Sequence, residues 1–471
     1  MSASTSGRVV VVGGGLAGLA AGLACADAGA DVTLLERAPR VGGATWSFER
    51  RGLWFDNGQH VFLRCCTAYR SFLDRIGASS LVRLQERLDI PVIAPGGRAV
   101  HIRRGRGPAP WHLAATLARY SHLSLADRAR LLRAALALMR LDRDAPETDG
   151  QSFGAWLRAH GQTDMALERL WDLIALPTLN VHADDASLGL AAFVFQVGLL
   201  HDATAADIGW SRVPLRRLHA DHATRALEQA GAVVRTSAAV DALELRDGAV
   251  VGVRSNGDVI EAEAVILAVP HTAIGELLPP GASSIANDAA ALRSSPIVNV
   301  HFVFDRVVMP FEFVAGIGTA CQWVFDRSEV AGLDPAAGQC VAVSLSGADA
   351  YIGRRPEELI GELTTELGAL FPAVRTARVI DAVVTREHTA TFRASPGTSA
   401  YRPAALSPLR GLTLAGAWTR TGWPATMEGA VRSGQSAAVE ALKMCSRGTS
   451  RLDRPTAPGG FVPAAFSEAA R

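Results

Sequence analysis

Residues 8–36 read RVVVVGGGLAGLAAGLACADAGADVTLLE, and this stretch decides the fold. Residues 8–12 (RVVVV) are a continuous β-branched run, the pattern of a strand buried on both faces in a parallel sheet. The triplet Gly13-Gly14-Gly15 stops it. Residues 16–29 are rich in Ala and Leu, which favours helix, and Gly29 closes that helix. Residues 31–36 (DVTLLE) form the next strand, so the chain opens with a βαβ unit. The spacing Gly13-x-Gly15-x-x-Gly18 sits at the strand-to-helix turn. There Gly13 permits the tight turn, Gly15 lets a pyrophosphate approach the backbone, and Gly18 lets helix and strand pack closely. The helix N-terminus then faces the phosphates. Glu36 ends the second strand, where its carboxylate can accept hydrogen bonds from ribose hydroxyls. A turn that is merely tight leaves Glu36 unexplained, so the unit reads as a dinucleotide site.

Three further motifs sharpen that reading. Arg37, Arg40 and the pair Gly42-Gly43 follow the acidic strand end at once. Paired glycines allow a second close approach of backbone to the same ligand, and arginine answers pyrophosphate charge. Next comes Asp56-Asn57-Gly58-Gln59-His60-Val61-Phe62, small polar residues around Gly58 that suit backbone passing close to a planar ring. His60 can exchange a proton near neutral pH; the alternative is that Asp56 and His60 only hold the loop by hydrogen bonds. The last motif is LAGAWTRTGWPATMEGAVRSGQS at 414–436. A strand ends at Gly416, a loop crosses, and a helix begins near Met427 with free N–H groups that can hold a flavin carbonyl.

Composition bounds the rest. At 471 residues the chain is too long for one ordinary core, so two joined domains are expected. Hydrophobic residues reach 49% and mean hydropathy is +0.17, which suits a large apolar interior or an oily cavity. A net charge of +1 shows no footprint for nucleic acid. The six cysteines have neither zinc-ligand nor redox-pair spacing, which suits a cytoplasmic, reduced chain with no metal site. No apolar run is long enough for a spanning helix. The 47 basic residues include a single lysine, Lys443.

Along the chain, short strands are expected within 45–63, a helix over 67–77, and a hairpin of 88–94 with 98–103. From 111 to about 230 the pattern is mostly helical, with Ser124 capping a helix over 125–142. Its Trp156, Leu157, Leu167, Leu170, Trp171, Phe193 and Phe195 are ordinary helix packing or, in part, the lining of an apolar tunnel. Strands return between 232 and 269, then at 297–304, 322–326, 340–346 and 378–386. A helix is expected at 356–370, a last strand at 411–416 and a last helix at 427–443. The Ser/Pro/Gly/Arg-rich residues 446–471 read as a mobile tail.

The Arg-x-Gly-Gly pattern after Glu36 resembles FAD proteins of the amine oxidase and carotenoid desaturase type. With DNGQHVFLRCCTAYRSFLDRIG at 56–77 and TGWPATMEGAVRSG at 421–434, the chain most resembles the squalene-associated FAD-dependent desaturases, the bacterial hydroxysqualene dehydroxylase family, over residues 8–443. That resemblance implies an α/β fold: a discontinuous Rossmann-type FAD domain (8–90, 231–290, 405–445) with a mixed sheet-plus-helices substrate domain (91–230, 291–404). It implies that Leu16, Ala17, Glu36, Arg37, Arg40 and Gly43 surround the ADP half of FAD. Val240 would meet the adenine, and Gly416 and Met427 the flavin. The related desaturases carry an acidic residue where this chain has Ala417, which removes one ligand to the FAD chain. The implied reaction is reduction of hydroxysqualene, an allylic alcohol, to squalene for hopanoid or related triterpenoid synthesis, with hydride from reduced flavin N5. His60, Asp56 and Glu428 are the candidate acids, His60 first. Amine oxidases of this superfamily place a lysine near N5; Lys443 lies at the far end of the last helix, so amine oxidation is disfavoured. The alternatives are an oxidative polyene desaturase of carotenoid or phytoene type, and a non-catalytic FAD-binding partner in a terpenoid enzyme assembly. An isoprenoid substrate, an unidentified electron donor and peripheral contact at the inner face of a membrane complete the expectation.

Overall fold

The computed structural model describes residues 7–279 and 282–449. A five-stranded parallel sheet runs in the order Val233–Arg235, Asp31–Leu35, Arg8–Val12, Ala264–Leu267, Leu412–Leu414. Its central strand buries all four valines: Val9 and Val11 pack with the opening and closing helices on one face, and Val10 and Val12 share a core with Leu243, Val250 and Val253 of the antiparallel strands Val240–Arg246 and Ala249–Ser255 on the other. The opening helix, Leu16–Asp27, lies against the closing helix, Met427–Thr449. Their contact depends on glycine: a Cβ on Gly434 would sit 2.1 Å from the Ala17 carbonyl oxygen. Three strands drawn from residues 233–267 and 412–414 thus complete the sheet that residues 8–35 begin.

A second, seven-stranded sheet runs in the order Val379–Phe392, Ser294–Phe304, Gln339–Leu345, Trp323–Asp326, Phe313–Gly316, Asp89–Ile93, Val100–Arg103. All pairings are antiparallel except that of Phe313–Gly316 with Asp89–Ile93. One face packs on Pro356–Leu370, whose Leu359, Leu363, Leu367 and Leu370 recur at helical spacing and are buried. The other face meets the helices between residues 114 and 200. The chain is therefore α/β, a parallel cofactor-type sheet beside a mixed sheet with helices.

Several elements differ from the sequence expectation. Ile208–Ser211, inside the segment read as mostly helical, is a strand pairing with Val61–Leu63 and Val82–Leu84. At four residues it is too short to display a period. Leu215, Leu218, Ala223 and Leu227 share a core with the parallel sheet, although they precede residue 231. The strand expected at 378–386 continues to Phe392. The closing helix runs past 443 to Thr449, so residues 446–449 of the expected tail are helical; residues 450–471 lie outside the described residues. Ser124 does cap Leu125–Arg140, its side chain accepting from Asp127 N–H.

Candidate active site

Where the two sheets meet, one continuous cavity of about 1380 Å³ opens. That exceeds the roughly 300–1,000 Å³ of an ordinary small-molecule pocket, so it holds more than one small ligand. At one end the wall is Gly13, Gly15, Leu16, Ala17, Glu36, Arg37, Arg40, Gly42 and Gly43. The opening helix has Gly15 at its N-cap with no side-chain cap and no acidic residue in its first turn, so its leading N–H groups remain available to an anion. A Cβ on Gly15 would meet nothing nearer than Gly43 Cα at 3.8 Å, and a Cβ on Gly43 would lie 2.8 Å from Gly15 Cα. Two glycine backbones thus form a narrow cradle. Gly18 stays off the wall: a Cβ there would fall 1.9 Å from the Gly13 carbonyl oxygen, so it serves helix–strand packing. The Glu36 carboxylate is held by Gly14 N–H at 2.7 Å and Ala38 N–H at 2.8 Å, one bond per oxygen, with further acceptor capacity on each. Arg40 stacks on Trp46, its guanidinium carbon 4.4 Å from the ring centre.

Val240 borders the same end, and Gly416 and Met427 border the middle. The loop between these last two is gathered by Arg402, 3% exposed. Its guanidinium donates to the carbonyls of Ala417, Trp418, Thr419 and Trp423. Burial pushes its pKa down to about 10. These groups suit a flavin dinucleotide: an uncapped helix end for the pyrophosphate, a pinned carboxylate for ribose, and a second helix N-terminus at Met427.

Of the three candidate acids, only His60 borders the cavity, beside Gly58. Burial pushes its imidazolium down to about 4, with Arg327 adding to the fall and Asp56 opposing it, so the ring is neutral at neutral pH. The expectation for Asp56 is corrected. Its carboxylate, 2% exposed and off the wall, accepts from Ser47 Oγ (2.6 Å), Leu215 N–H (3.0 Å) and Arg327 (2.7 Å). Glu428 is corrected likewise. It accepts from the N–H groups of Ala68 (3.1 Å) and Tyr69 (2.6 Å), capping helix Thr67–Arg75, and from Arg432 (2.7 Å). Both carboxylates are held by fixed donors and lie off the cavity wall.

Two polar residues to which the sequence assigns no separate role stand beside His60. Both side-chain amide atoms of Gln59 and the Oδ1 of Asn299 are buried without a hydrogen-bond partner. Asn299 Nδ2 donates to the Asn57 carbonyl at 3.3 Å, and Thr385 Oγ1 donates to the same oxygen at 2.8 Å, so the second sheet grips this loop. A signal existed: in IVNVHFVF, Asn299 and His301 are polar at i and i+2, on one face of an otherwise apolar strand. Beyond this junction the cavity becomes an apolar arm. Leu170, Trp171 and Phe195 line it; Trp156, Leu157, Leu167 and Phe193 do not and serve packing. Lys443 is not on the wall and pairs with Glu440 at 2.7 Å.

Fold and site define an FAD-dependent oxidoreductase. A family model described as flavin containing amine oxidoreductase matches residues 16–442. Hydroxysqualene dehydroxylase of Rhodopseudomonas palustris is 30% identical over 440 residues, spanning 92% of this chain and 98% of that protein. A zeta-carotene desaturase of Zea mays is 24% identical, spanning 91% and 82%. Among solved structures, an oxidoreductase from Methanosarcina mazei superposes with a TM-score of 0.70 at 17% identity, covering 91% of this chain and 99% of that one. The chain belongs to the flavin-containing amine oxidoreductase family and, within it, to the hydroxysqualene dehydroxylase group. Among the described residues no helix is long and apolar enough to cross a membrane.

Proposed function

We propose that this enzyme converts hydroxysqualene to squalene, replacing the allylic hydroxyl by hydrogen and releasing water. The observation that carries the reading is the shape of the cavity: a dinucleotide cradle continuous with an apolar arm, with the unpartnered Gln59 amide and Asn299 Oδ1 at the junction. Reduced FAD, when bound, supplies the hydride. Gly13, Gly15, Leu16, Ala17, Glu36 and Gly42-Gly43 would hold its ADP half. Val240 would meet the adenine, and Gly58, Gly416 and Met427 the ring. The apolar arm takes the isoprenoid chain and excludes water, and the buried Gln59 and Asn299 amides orient the hydroxyl. His60 hydrogen-bonds the Ala44 carbonyl. Being neutral, it can orient the hydroxyl by accepting a hydrogen bond from it, while the proton that lets the hydroxyl leave as water would come, with the hydride, from the fully reduced cofactor. The reaction consumes one hydride and one proton, so an electron donor must restore the reduced cofactor. An isoprenoid of this kind resides in lipid, so the enzyme works in peripheral contact with the inner face of a membrane.

An anaerobic half-reaction tests this. Photoreduced enzyme mixed with hydroxysqualene should regain the oxidised flavin band near roughly 450 nm while squalene forms. If hydroxysqualene leaves the band bleached, and a polyene precursor instead reduces the oxidised enzyme, the chain is an oxidative desaturase.

A further inference from the structure

The segment between Ile90 and Leu141 carries nine arginines and one carboxylate, Asp127, in a chain whose net charge is +1; Arg103, Arg104 and Arg130 pair with Asp89, Asp207 and Asp127 and leave six. That asymmetry is invisible in the whole-chain balance. The structure folds this segment around the far end of the apolar arm. Trp111 opens a helical turn that continues as Ala114–Ala118, and this packs against Leu125–Arg140. Trp111, Leu125 and Leu132 are 54%, 78% and 47% exposed, yet all three border the cavity. Leu125 and Leu132 are seven residues apart, two turns along one helix face. The apolar wall therefore does not end inside the protein. It continues over a rim and onto the surface.

The same two helices carry positive charge. Arg119 and Arg133 are exposed and have no carboxylate partner among the described residues. Arg128 ties the two helices together, donating to the carbonyls of Leu123 and Ala118. Exposed Trp and Leu with unpaired arginines on the same two helices form the pattern of a surface that sits in a bilayer interface, with apolar tips among the acyl chains and cations at anionic headgroups.

We infer that the Trp111–Arg140 face docks on an anionic lipid bilayer and that the cavity mouth opens there, so that the isoprenoid passes between lipid and active site without crossing water. The occupant follows from charge complementarity and from the continuity of the exposed rim with the cavity wall. This rests on the proposed use of an isoprenoid, but its test reads binding and not turnover.

The flavin-loaded full chain is mixed with vesicles of phosphatidylcholine alone, or with added phosphatidylglycerol, and floated on a density gradient. Binding should appear with phosphatidylglycerol and fall with salt. The double variant Arg119→Glu/Arg133→Glu should lose about tenfold or more of that partitioning. It should keep its flavin absorbance and its turnover of detergent-dispersed substrate. Leu125→Ser/Leu132→Ser should also lose binding. No binding to anionic vesicles, or equal binding by wild type and the charge-reversed variant, overturns the proposal. So does a dimer seen by light scattering that Leu125→Ser/Leu132→Ser dissolves, since a second copy would then cover the face. If vesicles bind but hydroxysqualene is not turned over, the docking surface stands and the proposed reaction fails.

Discussion

Arg327 donates to the carboxylate of Asp56 across 2.7 Å, with the two side chains 9% and 1% exposed. The pair joins the loop that carries Gly58 and His60 to the second sheet, so it fixes how the two halves of the cavity face each other. Removing one partner leaves a buried charge uncompensated, which costs about 3–5 kcal/mol. Asp56→Asn should therefore lower the Tm of the flavin-loaded enzyme markedly. Below that Tm the pH profile of kcat should keep its shape. A profile that loses one limb would return Asp56 to the chemistry.

Glu428 receives two backbone N–H groups at the start of Thr67–Arg75. A glutamine there has one acceptor oxygen and sets an NH2 against the other donor. Glu428→Gln should destabilise the protein by about 1–3 kcal/mol, read as a lower denaturant midpoint, because hydrogen bonds to charged groups lie in that range. Turnover under native conditions should not change.

At the cradle, two substitutions should separate folding from binding. A Cβ at Gly18 would collide with the Gly13 carbonyl oxygen at 1.9 Å, so Gly18→Ala should yield insoluble or colourless protein. Glu36→Gln should fold but cannot accept from Gly14, Ala38 and a ribose together. Its Kd for FAD should rise about tenfold, since a charge-assisted bond weakens to a neutral one. Titration of flavin fluorescence measures this.

Acid should weaken the fold through buried histidines. His219 and His301 are 0% and 1% exposed, and burial pushes them down to about 3 and about 4. In the unfolded chain each takes up a proton near about 6.5. Between these values the unfolded state binds more protons, so the stability they lend is complete above about 6.5 and is lost as pH falls toward the folded values. By pH 5 each histidine should have cost roughly 2 kcal/mol. Thermal melts from pH 7 to 5 should slope downward, and His219→Gln should flatten the slope; an unchanged slope removes His219 from this account.

Asn299→Leu fills the same space without the amide. If Asn299 orients the substrate hydroxyl, kcat/KM should drop by about 5- to 150-fold, as for a buried polar partner lost. Flavin content should hold. Equal loss of flavin would assign Asn299 to holding the Asn57–Gly58 loop alone.

What the sequence determined by itself was local. Four valines, a glycine triplet and an Ala/Leu run specify a βαβ turn because each acts within a few residues, through strand burial, φ freedom and helix propensity. The residues at the cradle could be named for the same reason, as could Ser124 at its helix start. The tertiary structure decided what becomes of polar groups brought together from far along the chain. Asp56 meets Arg327, Glu428 meets Ala68 and Tyr69, and Asn299 meets Gly58, each across more than 200 residues. A carboxylate's role depends on which donors and charges surround it, and those are set only when distant strands pair. The arginine-bearing rim shows the same dependence: its charges are plain in the sequence, but only the packing of two helices sets them on the elements whose Trp111, Leu125 and Leu132 border the cavity.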